Sequence, residues 1–276
     1  MNITELHRLV STAAQAAHSA GHVLESYFQR LDSSLIESKS TAVDLVTAAD
    51  KDAEQIIRNE LARQYPEIAF IGEESGPADS IGQDGYCWIV DPLDGTSNFV
   101  CGLPIWSVSI ALCQLTPTGY NPLTGVVYAP QLNKIWTAVH GLGAWLNAAP
   151  IQVRSAPPGG GLENAMIATG FPYTVTASGD STNLDNFTAM QSQFHKIRRL
   201  GSAAIDLAFV ADGTYDGIWE LGLKIWDIAA GQLLISEAGG LFKRIQLNHS
   251  DPEVHIIATA TPELMDTMQA TLVFPS

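Results

Sequence analysis

Three short acidic segments carry the chemistry open to this sequence. Gly72-Glu73-Glu74-Ser75 follows an apolar run, and Asp91-Pro92-Leu93-Asp94-Gly95-Thr96 follows directly on Cys87-Trp88-Ile89-Val90. Trp226-Asp227-Ile228-Ala229-Ala230-Gly231 opens a helical pattern. Each segment puts a carboxylate at the end of an element. Carboxylates gathered at such ends repel one another and raise each other's pKa. A hard divalent cation relieves the repulsion, and Mg2+ needs only one or two carboxylates per ion because it keeps several waters. Two such ions about 3.5–4 Å apart can share a bridging carboxylate and clamp both sides of a phosphoryl displacement. Gly95 lets backbone come close to a ligand, so the amides of Gly95 and Thr96 can meet a phosphate, and the Thr96 hydroxyl can hold a water. Taken singly, each segment also has a plain structural reading. Asp and Gly are ordinary turn residues. Asp227 can serve as a helix N-cap, and Thr47 to Asp50 fits a capping box.

The elements that must position these groups show in the apolar periodicity. Leu6, Leu9, Val10, Ala13, Ala17, Leu24 and Phe28 recur at helical spacing, as do Ala49, Ala53, Ile56, Ile57 and Leu61. Short apolar runs at Ile68–Ile71 and Cys87–Val90 predict buried strands. Further strands are expected at Ser107–Leu115, Gly125–Tyr128, Ile135–Val139 and Ala165–Thr169. Helices are expected near 183–195, 202–211 and 227–238, the last stopped by Gly239-Gly240. Pro157-Pro158-Gly159-Gly160-Gly161 is the one linker-like stretch. It divides a single domain of residues 1–276 into an N-terminal lobe of about 1–155, holding the metal and phosphate motifs, and a C-terminal lobe of about 162–276, holding the substrate pocket and Asp227. The site is expected between two packed lobes.

Composition narrows the function. Lys and Arg number 14 against 29 Asp and Glu, a net charge of −15. That argues against a nucleic-acid partner recruited by bulk charge and against an anionic membrane surface. The N-terminus shows no signal peptide pattern, and no apolar run is long enough for a membrane span. The three cysteines are Cys87, Cys101 and Cys113, with no Cys-x-x-Cys. An odd count in a chain this long fits a reduced, cytoplasmic setting. His18 and His22 lie four apart but lack the intervening Glu of a zinc motif. The six tryptophans have no interleaved basic residues and read as core.

The ordered set of motifs resembles the inositol monophosphatase family of Mg2+-dependent, Li+-sensitive phosphatases. It runs from Asp44-Leu45-Val46-Thr47-Ala48-Ala49-Asp50 through the three acidic segments, Gly141-Leu142-Gly143-Ala144-Trp145-Leu146-Asn147 and Arg199-Leu200-Gly201-Ser202-Ala203-Ala204. The resemblance implies an α+β fold, a layered αβαβα sandwich, and a homodimer. It implies that Glu73, Asp91 and the Leu93 carbonyl hold one Mg2+, that Asp91, Asp94 and Asp227 hold a second, and that a third ion leans on Glu73. It makes Glu73, Thr96 and Asp50 the catalytic group and gives the phosphate to Gly95 and Thr96. Gly201, Ser202, Ala203, Glu220 and Lys224 fall where the family reads its substrate. Lys39 and Arg198 match basic positions of the family, and Cys101, where many relatives have His, reads as a small filler. The activity implied is hydrolysis of myo-inositol 1-phosphate and similar polyol phosphates. Phosphatases for histidinol phosphate, 3′-phosphoadenosine 5′-phosphate or fructose 1,6-bisphosphate are the alternatives, and a non-catalytic interaction protein is a further one.

Overall fold

The computed structural model describes residues 1–28, 36–38, 45–76, 85–117, 119–171, 183–245 and 253–274. Lys39 lies outside them. Helix α1 (Ile3–Tyr27) starts at a capping box: the Asn2 side chain accepts the Glu5 N–H at 3.0 Å, and the Glu5 carboxylate accepts the Asn2 N–H. This satisfies two donors that a helix start otherwise leaves bare. Strands β1 (Ile36–Ser38) and β2 (Leu45–Thr47) form an antiparallel pair ahead of α2 (Ala48–Gln64). Strands β3 (Ala69–Gly72) and β4 (Tyr86–Asp94) pair in parallel. After the short helix α3 (Thr96–Val100) come β5 (Ser107–Thr116), β6 (Gly119–Ala129), β7 (Lys134–Val139), β8 (Gly143–Leu146) and β9 (Ala149–Ile151). Strands β3 to β9 make one seven-stranded sheet in chain order. The second half holds β10 (Met166–Thr169), α4 (Leu184–Gln191), β11 (Lys196–Arg198), α5 (Ala203–Ala211), β12 (Gly217–Leu223), α6 (Ile225–Glu237), β13 (Leu241–Ile245), β14 (Val254–Thr259) and α7 (Pro262–Thr271). Its sheet has the order β11-β10-β12-β14-β13.

Side-chain alternation assigns the layers. Trp88, Val90, Val108, Ile110 and Leu112 pack with Leu9, Ala13, Ala17, Ala53 and Ile57 of α1 and α2. Their neighbours Ile89, Ala111, Cys113 and Val127 face the other way, into a core shared with α5, α6, Ile218 and Ile256. Trp219 and Ile257 point out of the second sheet, against Met190 of α4 and Leu264 and Met268 of α7. The result is the expected αβαβα sandwich. The middle helices α5 and α6 are buried on nearly every side, through Ala203, Ala204, Ala208, Ala229 and Ala230 among others, because each packs on two sheets. A helix apolar all round is the sequence form of that position. The division between the sheets falls between β9 and β10, where the Pro157–Gly161 stretch lies.

Candidate active site

The end of β4 and the turn after it present most of the acidic groups. Asp91 lies inside the strand rather than at its end, and the register with β5 slips between Asp91 and Asp94. Pro92 has no N–H to give to the ladder, so an irregularity there is expected. Within it the Leu93 N–H donates to Asp91 Oδ1 at 2.9 Å. Gly95 follows with φ 91°, in the left-handed region, and is the N-cap of α3. The Thr96 hydroxyl donates to the Leu93 carbonyl at 3.0 Å and reaches Asp50 Oδ2 at 3.4 Å. Asp50 is buried in the first turn of α2. Glu73 sits in the turn just past β3, where its N–H donates to the Val90 carbonyl at 3.1 Å. Asp227 comes from the first turn of α6 and accepts the Lys224 N–H on Oδ2 at 2.7 Å.

Four donors reach Asp94. Its Oδ1 accepts the Ala203 N–H at 3.1 Å. Its Oδ2 accepts the Ala204 N–H at 3.0 Å and the hydroxyls of Ser107 at 3.3 Å and of Ser202. A carboxylate meeting the first N–H groups of a helix is favourably placed. Ser202 and Ala203, expected to line the substrate pocket, therefore spend their hydroxyl and N–H on Asp94, and Ser202 is buried. Asn98, which sequence reasoning did not single out, donates from Nδ2 to the carbonyls of Ile105 at 2.8 Å and Leu200 at 2.9 Å. It fastens α3 to the turn carrying Gly201. A carboxamide on a helix next to a turn was its only local signal.

The electrostatics join these groups. Burial, then the charges of Glu73, Asp94, Asp227 and Asp50, hold Asp91 well above the ordinary carboxylate range. Asp227 is raised by burial and by Glu73, Asp94 and Glu220, against the Lys224 N–H. Burial takes Asp94 to about 6, although the Ser202 hydroxyl and the Ala203 and Ala204 N–H groups oppose it. Among the described residues no three His, Cys, Asp or Glu side chains stand gathered as a ready-made metal cage. The carboxylates share a field rather than a coordination sphere as they stand. Their chemistry fits a hard divalent cation: the donors are carboxylate oxygens, several of them buried, and each disfavours the ionisation of its neighbours.

Of the remaining expected positions, Glu220 shares the field of this centre. Glu220 stands on β12 at a register shift, half-buried and within reach of the charge of Asp94, and is pushed up to about 8 by burial and Asp94 against Arg199. Lys224 reaches outward, its Nζ 3.0 Å from Glu253 Oε1. Arg198 is exposed and donates to the Ile197 carbonyl. Cys101 is exposed at the end of α3, so it is not a filler; the helix ends there and turns its side chain outward. His18 packs against the Tyr128 ring and His22 pairs with Glu25. Trp88, Trp106, Trp136 and Trp219 are fully buried, as core. No described helix is long and apolar enough to cross a membrane.

Comparison with known proteins identifies the family. The model of the inositol monophosphatase family matches residues 5–274. A relative from Pseudomonas aeruginosa, Nus factor SuhB, is 40% identical over 259 residues, covering 92% of each chain. The crystal structure of the extragenic suppressor protein suhB from Bartonella henselae superposes with TM-score 0.82 at 36% identity, over 96% of this chain and 98% of that one. Inositol monophosphatase from Anabaena gives 0.79 at 33% identity, over 96% of both.

Proposed function

This chain belongs to the inositol monophosphatase family, and from that premise we propose that it hydrolyses myo-inositol 1-phosphate and similar polyol phosphates with Mg2+. The observation that carries the reading is the coupling of Glu73, Asp94, Asp227 and Asp50 to the buried Asp91, beside a threonine hydroxyl that touches Asp50. In this reading Glu73, Asp91 and the Leu93 carbonyl would hold one Mg2+, Asp91, Asp94 and Asp227 would hold a second, and a third would lean on Glu73. Bound Mg2+ supplies a water of lowered pKa and neutralises charge on the phosphate. Asp94 keeps one Oδ1 lone pair for this task, since its Oδ2 is taken up by three donors. The amides of Gly95 and Thr96 hold the phosphate. Thr96 and Glu73 orient the attacking water, and Asp50 fixes the Thr96 hydroxyl.

Glu220 selects the alcohol. A carboxylate can accept from two hydroxyls at once, which separates a polyol from a plain alcohol. In the same reading Gly201, Ser202, Ala203 and Lys224 contribute to that pocket. The enzyme is read as a cytoplasmic homodimer. The test is Mg2+-dependent phosphate release from a panel of myo-inositol 1-phosphate, histidinol phosphate and 3′-phosphoadenosine 5′-phosphate, with and without Li+. The expected result is the highest kcat/KM for the inositol ester. A far higher value for histidinol phosphate would overturn the substrate assignment.

A second reading rests on the relatives' names. The Pseudomonas aeruginosa and Escherichia coli relatives are called Nus factor SuhB, a name that states no phosphatase activity. A protein-binding role beside or in place of catalysis is the matching alternative here. Absence of phosphate release from every member of the panel would favour it.

A further inference from the structure

Glu220 owes its position to an absence of side chain on the neighbouring strand. Strands β10 and β12 run parallel with Thr169 opposite Trp219, which brings Gly170 beside Glu220. A Cβ placed on Gly170 would lie 1.7 Å from Glu220 Oε1 and 2.2 Å from its Cδ. The carboxylate thus occupies the volume that any other residue at position 170 would fill.

The backbone that leaves this room is held from behind. Asn183 is fully buried and adopts φ 62°, ψ 2°, a left-handed conformation in which Asn is among the few tolerated residues. Its Nδ2 donates to the Gly170 carbonyl at 2.6 Å and to Thr169 Oγ1 at 3.0 Å. Its Oδ1 accepts the Trp219 indole N–H at 2.7 Å. One side chain therefore ties the end of β10 to the residue that precedes Glu220, and both carboxamide protons are used. A buried polar group is kept only when satisfied in this way. The contacts lie on the alcohol side of the site and include none of the residues assigned to metal or phosphate.

We infer that Gly170 and Asn183 are specificity-determining positions: Gly170 leaves the space in which Glu220 meets the substrate's hydroxyls, and Asn183 fixes that space relative to β12. The inference rests on the polyol-phosphatase reading above. It makes selectivity for polyhydroxylated leaving groups depend on a glycine and an asparagine that touch no phosphate.

The test compares myo-inositol 1-phosphate with 4-nitrophenyl phosphate, whose leaving group offers no hydroxyls to Glu220. Gly170→Ala displaces the far end of a flexible side chain, so the fold is expected to survive. Asn183→Gly keeps the left-handed backbone (φ 62°) and removes the side-chain ties to Gly170, Thr169 and Trp219 without burying a charge. Both variants should raise KM for the inositol ester about tenfold and leave kcat within about twofold, the mark of lost binding common to ground and transition states. Their kcat/KM on 4-nitrophenyl phosphate should stay within about twofold of wild type. Equal losses on both substrates, or no change on either, would overturn the inference. Wild type that releases phosphate from neither ester would overturn the phosphatase reading and the inference with it, whereas active wild type with unaffected variants overturns the inference alone.

Discussion

Gly95→Ala is the sharpest test of how the site is built. Gly95 has φ 91°, and an added Cβ would stand 2.9 Å from the Ile105 carbonyl oxygen, 3.3 Å from Trp106 Cα and 3.4 Å from Ser202 Cβ. The first two are backbone atoms, which cannot swing aside as a side chain can. The left-handed conformation alone costs an L-residue about 1–2 kcal/mol, and overpacking adds about 1–3 kcal/mol. The total, about 2–5 kcal/mol, corresponds to a drop in Tm of roughly 3–9 °C for a chain of this size. Gly95 lies between Asp94 and Thr96, so relaxation of the clash moves a carboxylate and an amide of the site together. A displacement near 1 Å costs about a hundredfold in rate. Gly239→Ala is the control: φ is +88° but nothing lies within 4 Å of the added Cβ, so only the conformational cost of about 1–2 kcal/mol applies. Thermal unfolding and Mg2+-dependent phosphate release, measured on both variants, decide the matter. If Gly95→Ala loses no more Tm than Gly239→Ala and keeps its activity, the close packing of α3 against the start of β5 is not what shapes the site.

Asp227→Asn keeps an acceptor for the Lys224 N–H, so Tm should move by only a few degrees while Mg2+-dependent phosphate release falls about 10²–10³-fold; unchanged release would remove Asp227 from the metal set. In the metal-free protein Glu220 is held protonated up to about 8, from an ordinary 4.5. Its folded form binds more protons than its unfolded form across that window, so this group withdraws stability as pH rises from about 4.5 to about 8. Denaturant unfolding should show that slope, and Glu220→Gln should flatten it; an identical slope in the variant would refute the assignment. The exposed Cys101 should react promptly with Ellman's reagent, while the buried Cys87, its thiol pushed up to about 12, and the buried Cys113, whose thiol is also raised by desolvation, wait for unfolding. One thiol per native chain and three in guanidinium are expected, and a second fast thiol in the native protein would contradict the burial.

The parts of this fold that could be read from sequence are those whose determinants are local. Helix α1 shows its buried stripe at helical spacing, and β4 announces itself by the apolar run Cys87–Val90, buried on both faces. The three acidic segments were visible because each combines Asp or Glu with a turn residue. Strand β12 left no such trace. It also faces two cores, through Ile218 and Trp219, but its apolar run is only those two residues between Gly217 and Glu220, and its register shift lies between Glu220 and Leu223. The work done by Ser202 and Ala203 was hidden for another reason: their partner Asp94 is 108 and 109 residues away, and no local pattern encodes a hydrogen bond across that distance. The same holds for Asn183, whose left-handed backbone and three buried contacts depend on strands it does not neighbour in sequence.

Asp94 shows why site and fold are difficult to separate here. It belongs to β4 of the seven-stranded sheet, yet four donors reach it, and three of them come from the start of α5. Helix α5 packs in the layer between the two sheets. The carboxylate therefore fastens the middle helical layer to the edge of the acidic cluster, and in the proposed metal reading part of one oxygen is left for a cation. Hydrogen bonds to a charged acceptor contribute about 1.5–3 kcal/mol each. Against them stand burial and the repulsion of Glu73, which together keep the group at about 6. A cation bound between the carboxylates removes the repulsion and leaves the hydrogen bonds in place. Metal binding should then tighten the contact between β4 and α5 as well as prepare the site for phosphate, so stability and catalysis respond to the same ion through the same side chain.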